Sequence, residues 1–335
     1  GDYSDKRRPD SVTFTDDRSD AQRRDFTVNA LFLDPTETGA ASARSPLGGR
    51  VIDYVGGTAD LQTRTIRAVG DPAARLNEDH LRALRAVRFA SRLGFTIEPS
   101  TAAAICAHAS RLSGISRERI GEELRRMLTH PRPSARQRAV NLLEELNLDA
   151  PVLNEPHRAG PNPSSDALAV PAPFPAALAA WLVDRHNLYL PADRPPHVGQ
   201  LVGHLRSALC LTNSERDALF DTLECVGEVL TGWRGRPPAA QKRWASRPGF
   251  TAALDILAPH HPEVVGHARR TLRDLCDDGV GLTPTPLVDG DDLIGLGFRP
   301  GPVFKALLDR LYDEQLEGRL KTRSEGLELA RVWGV

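Results

Sequence analysis

The sequence lacks the residue patterns of several protein classes. Its cysteines show no CxxC spacing, which argues against both a zinc site and a disulfide framework. We expect each to be a small buried apolar residue: Cys106, Cys210, Cys225 and Cys276. No apolar run approaches the roughly 20 residues that span a bilayer, and the first residues do not resemble a signal peptide. These absences predict a soluble, cytoplasmic protein without a membrane partner.

The chain also lacks an excess of basic charge. Lysine and arginine total 43 against 44 aspartate and glutamate, for a net charge of −1. No global positive field therefore indicates a nucleic-acid partner. Basic residues cluster locally in ranges 82–92, 117–126 and 132–138, so any affinity for RNA must come from local patches, although surface solvation explains most such clusters.

The order of sequence patterns predicts an α+β fold that is predominantly α-helical. Short strand-like segments lie at residues 12–15, 28–33, 51–55 and 65–69, and helical periodicity dominates after residue 71. A chain of 335 residues is expected to form two to four subdomains. Residues 154–175, rich in proline, serine, alanine and glycine, predict a mobile connection within the helical part.

The segment around residues 71–93 predicts one long helix over about residues 78–93. Pro72 opens the segment, Asn77 is a candidate N-cap, and no glycine or proline interrupts residues 78–93. With about 100° of rotation per residue, four polar side chains would share one half of this helix as a ladder. They are Asp79, Arg82, Arg85 and Arg88.

The residues alone leave two interpretations of this ladder open. In the first, Glu78 and Asp79 form ion pairs with Arg82 and Arg85 three or four positions along the helix, each pair stabilising it by roughly 0.2–0.5 kcal/mol. In the second, Asp79 accepts a hydrogen bond from the exocyclic amine of a base, and Arg82 donates to the neighbouring ring nitrogen. Cytosine and adenine present that edge, whereas uracil and guanine do not. The pair would then select C and A without a nucleic-acid template.

Residues 23–31, RRDFTVNAL, would by themselves predict a strand with alternating faces. Together with EDHLRALRAVRF at residues 78–89, however, they resemble two signature motifs of the tRNA nucleotidyltransferase and poly(A) polymerase superfamily, in its bacterial class II branch. The whole run of residues 66–95, IRAVGDPAARLNEDHLRALRAVRFASRLGF, continues this similarity.

The resemblance implies roles in nucleotide binding for the second motif. In the family, the EDxxR segment acts as a protein template for incoming CTP and ATP. By this similarity, Asp79 and Arg82 read the base, and Arg85 and Arg88 help to bind the nucleotide through its phosphates.

The resemblance also implies roles for the first motif. Arg24 would bind the triphosphate. Asp25 and Asn29 are candidates for hydrogen bonds to the ribose 2′-hydroxyl, which distinguishes RNA precursors from DNA precursors.

Three other segments have both a plain and a family interpretation. Gly56 and Gly57 are typical of a turn, but they resemble a hinge between head and neck in the family. Ser116 predicts the N-cap of a helix, and the family motif there supports the neck. Asp289 and Asp291 superficially form a DxD pair, which we interpret as a turn and a helix N-cap.

The resemblance further implies a catalytic Mg²⁺, held by two carboxylates of a DxD pair on an early strand. Neither this pair nor the preceding Gly-rich turn occurs ahead of Arg23. The chain begins with Gly1 in a polar segment, and we expect it to be truncated at its N-terminus. No catalytic or metal-binding residue is therefore predicted in this chain.

The resemblance thus implies a tRNA nucleotidyltransferase that adds CCA to tRNA 3′ ends from CTP and ATP. Residues 1–70 would form a partial head, 71–130 a helical neck with the nucleotide-selecting helix, and 131–335 a helical body and tail that bind tRNA. The alternatives are a bacterial poly(A) polymerase, a specialised CC-adding or A-adding enzyme, and a non-catalytic RNA-binding relic. Residues 2–14 resemble a flexible loop of CCA-adding members and favour the first interpretation.

The missing DxD pair gives a first prediction. The polypeptide of residues 1–335 is expected to show no nucleotide addition when incubated with Mg²⁺, CTP, ATP and a tRNA lacking its 3′ CCA, because two carboxylates must grip the metal for transfer. Denaturing gel electrophoresis of the labelled tRNA measures the product. Extension of the tRNA would contradict the prediction.

Overall fold

The computed structural model describes residues 16–36, 49–190 and 197–333. The expected strand at residues 12–15 and the loop at 2–14 lie outside these ranges. Within them α-helices dominate and strands are few and short, which confirms the predicted fold class. No helix in the described part of the chain is long and apolar enough to cross a membrane.

The chain divides into two compact units. The first comprises residues 1–160 and 207–210, and the second comprises residues 161–206 and 211–335. This division does not test the expected boundaries at residues 70 and 130, which stay predictions.

The first unit carries all the described strands. They are β1 (Leu31–Asp34), β2 (Arg50–Asp53), β3 (Thr65–Ile66) and β4 (Thr96–Ile97). Its helices are α1 (Asp17–Arg23), α2 (Gly57–Gln62), α3 (Pro72–Glu78), α4 (Arg82–Leu93), α5 (Pro99–His108), α6 (Arg117–Leu128), α7 (Pro133–Glu145) and α8 (Asp149–Leu153). β1 pairs antiparallel with β2, with Leu31 opposite Asp53, and β3 pairs parallel with β4. α4 packs against α6 and α7, and α3 packs against α5.

The second unit is helical throughout its described residues. Its helices are α9 (Ser164–Ala167), α10 (Phe174–His186), α11 (Val198–Leu209, whose last three residues belong to the first unit), α12 (Asn213–Thr231), α13 (Pro238–Ala245), α14 (Phe250–Leu257), α15 (Pro262–Asp277), α16 (Gly290–Gly295), α17 (Pro302–Leu316) and α18 (Arg323–Trp333). α10, α12 and α14 pack together, and Trp181 and Phe250 are completely buried. Around α16, α17 and α18 lies a second apolar cluster, which includes Leu293 and Leu311.

The long helix predicted over residues 78–93 is wrong. Asp71, not Asn77, is an N-cap, because its carboxylate accepts a hydrogen bond from the backbone N–H of Ala74 at 2.8 Å. α3 then ends at Glu78. Asp79 is extended, with φ −153° and ψ 105°, and α4 begins only at Arg82. The ladder therefore divides into one residue before the helix and three on it.

Three predicted strands are shorter than expected, and the one predicted at residues 65–69 forms only β3, Thr65–Ile66. Residues 27–29 form a 3₁₀ turn, so β1 begins at Leu31. β2 ends at Asp53, whose carboxylate accepts hydrogen bonds from the backbone N–H groups of residues 55–58. This cap fixes the turn into α2 and prevents the strand from continuing to residue 55.

The mobile connection predicted at residues 154–175 stays a prediction, but the segment is anchored at two points. In the first unit, the backbone N–H of Arg158 donates to Asp149 at 2.9 Å. In the second, Ser164 is fully buried, and its backbone N–H and its hydroxyl both donate to Asp184. Buried backbone groups with such partners hold a segment in place.

The expectation for the cysteines holds at one position. Cys225 is buried, and burial raises the pKa of its thiol to about 12. Cys106 is half-buried, and Cys210 and Cys276 are exposed. The predicted caps are confirmed: Ser116 accepts a hydrogen bond from the N–H of Arg119, and Asp289 forms a capping box with Asp292.

Glu98 joins the small β3 and β4 sheet to α5 and gives a prediction. Its carboxylate accepts hydrogen bonds from the side chains of Ser100 and Thr101 and from the N–H of Thr101. Burial by itself raises the pKa of Glu98, but these hydrogen bonds outweigh it and hold the pKa at about 2. Because the folded-state pKa lies below the ordinary value, the stabilisation is complete above about pH 4.5 and is lost as the pH falls toward 2.

The variant Glu98→Ala is therefore expected to lower the free energy of unfolding at pH 7 by about 1 kcal/mol, as for other N-cap side chains. Urea unfolding followed by circular dichroism measures the difference, which should shrink as the pH approaches 2. Glu145→Ala, which changes an exposed glutamate of the same unit, is the control and should change stability little. A loss for Glu98→Ala that does not depend on pH would contradict this account.

Candidate functional site

An open cavity of about 600 Å³ in the first unit brings the two sequence motifs together. Its lining residues come from the end of α1, the 3₁₀ turn, the connection between α3 and α4, α4 itself and the start of α6. They are Arg23, Arg24, Asp25, Asn29, Asp79, Leu81, Arg82, Arg85, Phe89 and Arg119. Five arginines face two carboxylates, so the lining carries an excess of three positive charges. A cavity of this size and charge suits an anionic ligand of nucleotide dimensions.

Asp25 connects the first motif to α4. It is 9% exposed, and its Oδ1 accepts hydrogen bonds from the backbone N–H of Phe26 at 2.9 Å and from the amide of Asn29 at 3.1 Å. Its Oδ2 accepts from Arg85, at 2.7 Å from Nε and 2.5 Å from Nη2. Both carboxylate oxygens therefore have internal partners, and Asp25 holds the neighbouring side chains in position.

Arg24 is anchored on one side and open on the other. Its Nε and Nη2 donate to Asp20, at 3.1 and 2.8 Å, and its Nη1 donates to the backbone carbonyl of Asn29 at 2.8 Å. The guanidinium carbon also lies 5.0 Å from the centre of the Phe32 ring. These contacts use three of the five N–H donors of an arginine and leave two for a ligand.

Asp79 lies in the connection between α3 and α4 and does not contact Arg82 through its side chain. Its Oδ1 accepts from the backbone N–H of Leu81 at 3.0 Å, and its Oδ2 accepts from Nη2 of Arg119 at 2.7 Å. A local hydrogen bond of this kind competes with helix formation, which explains why the helix does not continue through residues 79–81.

Arg82 is held by three acceptors. Its Nη1 donates to the carbonyl of Arg75 at 2.8 Å and to Glu78 at 2.7 Å, and its Nη2 donates to the carbonyl of Arg23 at 3.2 Å. The ion pair expected between Glu78 and Arg82 is thus present, whereas the one expected for Asp79 is replaced by a pair with Arg119. The carbonyl bonds fix the guanidinium at the cavity wall.

Arg88 is the predicted nucleotide-binding residue that does not line the cavity. It is 8% exposed, its Nε donates to Glu123 at 2.6 Å, and its guanidinium lies 4.3 Å from the centre of the Phe89 ring. It therefore joins α4 to α6 inside the unit, and no contact supports the expected role in phosphate binding. The other six predicted residues meet at the cavity.

The two positions of the expected hinge, Gly56 and Gly57, favour glycine for different reasons. Gly56 has φ +85°, and no atom lies within 4 Å of the position of an added Cβ. At Gly57 an added Cβ would lie 2.2 Å from the carbonyl oxygen of Thr27. Gly57 therefore lets α2 approach the first motif closely, and the hinge itself stays a prediction.

Sequence reasoning missed several lining residues, above all Arg119. It belongs to a segment that was interpreted only as a capped supporting helix, and its cap at Ser116 is present. The available signal was a basic residue in the first turn of that helix. A positive side chain is unfavourable beside the positive end of the helix dipole unless an anion is nearby. Arg23, Leu81 and Phe89 belong to the recognised motifs without an assigned role.

The lining was also tested for a metal. Mg²⁺ prefers several oxygen ligands in octahedral geometry, but both oxygens of Asp25 and of Asp79 already accept hydrogen bonds within the protein. Across the described ranges, no group of three or more histidine, cysteine, aspartate or glutamate side chains is placed to hold a metal ion. These residues do not fit a catalytic Mg²⁺.

Comparison with known proteins agrees with the motifs. A family model described as the poly A polymerase head domain matches residues 1–67, and one described as a probable RNA and SrmB-binding site of polymerase A matches residues 94–159. The CCA-adding enzyme of Limosilactobacillus fermentum (strain NBRC 3956 / LMG 18251) is 47% identical over 320 residues, which cover 95% of this chain and 72% of that enzyme. The chain belongs to the CCA-adding enzyme family of nucleotidyltransferases.

Two further similarities show how much of a CCA-adding enzyme the chain spans. The enzyme of Levilactobacillus brevis (strain ATCC 367) is 49% identical over 132 residues, covering 39% of this chain and 30% of that enzyme. The crystal structure of the Bacillus stearothermophilus CCA-adding enzyme in complex with CTP has a TM-score of 0.62 and 26% identity, covering 95% of this chain and 76% of that chain. The fold of this chain thus corresponds to about three quarters of that CCA-adding enzyme.

The contact between α2 and the first motif gives a prediction for this CCA-adding family member. Gly57→Ala is expected to lower the free energy of unfolding by about 3 kcal/mol, because the new methyl group overlaps a backbone carbonyl that cannot rotate away. Gly56→Ala, the matched control, should cost about 1–2 kcal/mol from its left-handed backbone alone. Thermal unfolding measures which of the two variants is less stable. A Gly56→Ala variant less stable than Gly57→Ala would contradict the packing argument.

Proposed function

We propose that this chain supplies the nucleotide-selecting part of a template-independent tRNA nucleotidyltransferase, which adds C, C and A to tRNA 3′ ends from CTP and ATP and releases pyrophosphate. The observation that carries the proposal is the meeting of Asp79 and Arg82 with the arginines of the first motif around one cavity. Asp79 and Arg82 suit a base, and Arg24 and Arg85 suit a triphosphate.

The hydrogen-bonding capacity left at the two base-reading residues supports the proposal. Arg82 uses three of its five donors on Arg75, Glu78 and Arg23, so Nε–H and one Nη2–H are available for a ring nitrogen. A carboxylate offers about four acceptor sites, so Asp79 can accept from an exocyclic amine beside its bonds to Leu81 and Arg119. Cytosine and adenine provide this combination of acceptor and amine.

The cationic residues are suited to the triphosphate. Arg24 and Arg85 are each fixed by a carboxylate on one side and keep donors on the other. Side chains that are already positioned lose less conformational entropy when a ligand binds, and bonds between guanidinium groups and phosphate oxygens are among the stronger hydrogen bonds. Asn29 remains the candidate for the ribose 2′-hydroxyl, with Asp25 orienting its amide.

The remaining parts of the proposal rest on family membership. tRNA is the proposed partner, bound through phosphate contacts of local basic patches on the helical part. Mg²⁺ is the proposed metal for the transfer step, held by carboxylates that this cavity does not contain. The proposed location is the cytoplasm, where tRNA is processed in bacteria.

Nucleotide binding by the 335-residue chain tests the proposal without requiring turnover. Calorimetry should show CTP and ATP binding at least tenfold more tightly than UTP and GTP, because a mismatched base leaves polar groups of the site unpaired at roughly 1–3 kcal/mol each. Asp79→Asn should weaken CTP and ATP binding about tenfold and abolish the preference, since the amide also offers a donor.

Arg82→Gln should likewise weaken CTP and ATP binding, and Arg18→Gln is its control. Arg18 is exposed and does not line the cavity, so its variant should bind as the unmodified chain does. Binding of ATP without CTP would favour a poly(A) polymerase, and binding of tRNA without either nucleotide would favour a non-catalytic RNA-binding protein. Equal affinities for all four nucleotides would refute base selection by Asp79 and Arg82.

A further inference from the structure

His80 lies inside the nucleotide-reading segment but on the side away from the cavity. Its neighbours Asp79 and Leu81 both line the cavity, whereas His80 does not. The His80 ring instead approaches the His108 ring at the end of α5, with 6.0 Å between centres and 53° between planes. The connection between α3 and α4 is thus backed by a pair of imidazoles.

The surroundings of this pair disfavour a positive charge. The Nδ1 atoms of both rings are shielded from solvent, and within the described residues neither makes a hydrogen bond. Burial, followed by the positive charge of Arg111 and by His108, holds the pKa of His80 below its ordinary value, against the opposing effect of Asp79. Arg111 is itself fixed nearby, because its Nη1 donates to the side-chain oxygen of Asn77 at 2.6 Å.

We propose that His80, packed against His108, forms a support that positions Asp79 for base reading only while the His80 ring is neutral, so that nucleotide binding weakens when His80 takes up a proton. His80 acts through Asp79 and is a positioning residue. This inference rests on the proposed function of the cavity.

The physical reason is the break between the two helices. The carbonyls of residues 79–81 accept hydrogen bonds from the N–H groups of α4, but Asp79 has extended backbone, so the connection is not part of a continuous helix. A charged His80 beside Arg111 and His108 is repelled from its place, and the connection can move it toward solvent only by displacing Asp79. Arg82, bound to two backbone carbonyls, does not follow this movement.

The direction of the pH effect follows from proton linkage. In a displaced conformation His80 regains its ordinary pKa of about 6.5, whereas in the supporting conformation its pKa is lower and the ring binds a proton less readily. The displaced conformation is therefore favoured progressively as the pH falls below about 6.5. Well above pH 6.5, the equilibrium between the two conformations does not depend on pH. Affinity for the nucleotide should be lost in the same range.

The test compares CTP affinity between pH 8.0 and 5.5 for the unmodified chain and for His80→Gln and His108→Gln. The unmodified chain should lose several-fold more affinity than either variant. The linkage of one proton limits this difference to about tenfold at one pH unit below 6.5. Protonation of the CTP phosphates is common to all proteins and cancels in the comparison. The control is His130→Gln, since His130 is also a half-buried histidine of this unit with a lowered pKa but does not line the cavity; it should retain the full pH dependence.

A second measurement does not depend on nucleotide binding. NMR titration of the histidine rings should place the pKa of His80 below 6.5 and raise it in His108→Gln, because one neighbouring charge is removed. Equal pH profiles for the unmodified chain and His80→Gln would overturn the inference, and His108→Gln serves in its place if His80→Gln does not fold. Absence of CTP binding at pH 8.0 would instead refute the proposed function, and a His80 pKa unchanged by His108→Gln would then overturn the pairing as well.

Discussion

The cavity depends on the half-buried ion pair between Asp25 and Arg85. These residues are 60 positions apart in the chain, and their contact places the first motif against α4. Asp25 also orients Asn29 and the backbone N–H of Phe26. The Asp25 carboxylate is buried, whereas the Arg85 side chain is 33% exposed, so removing Arg85 would leave a buried carboxylate without its cationic partner. Together with the bond from Arg82 to the carbonyl of Arg23, the pair fixes the relative position of the two motifs.

The other charged residues of the cavity follow the same arrangement. Arg24 is fixed by Asp20, Arg82 by Glu78, and Arg119 by Asp79. Five unpaired arginines around one cavity would repel one another strongly in a medium of low dielectric constant. Partial neutralisation makes the empty cavity stable while leaving donors for an anion. An incoming triphosphate then binds to arginines that are already in position, so its binding does not have to assemble them.

The sequence predicted the helical character of the chain, the two motifs and six of the ten residues that line the cavity. It did not predict the break between α3 and α4, because Asp79 fits the helical spacing and only its bond to the N–H of Leu81 reveals the turn. Periodicity also cannot distinguish Arg85, which faces the cavity, from Arg88, which faces Glu123, since both lie on one half of the helix. Arg119 is placed by a tertiary contact with Asp79, 40 residues away in the chain, and the basic residue near the start of a helix is only a weak signal for such a contact.

The break in the helix has a consequence for base selection. A site that reads both cytosine and adenine must accept a small and a large ring with one set of groups. Arg82 is bound to the carbonyls of Arg75 and Arg23, and displacing it would break both bonds. Asp79 is bound through side-chain contacts to Leu81 and Arg119, and Arg119, 44% exposed along its side chain, can move with it. Of the two residues proposed to read the base, we therefore expect the Asp79 side chain to adjust more readily, although its carbonyl also accepts a hydrogen bond from the N–H of Arg82; the site would then have an adjustable acceptor opposite a fixed donor. A continuous helix over residues 78–93 would have fixed both.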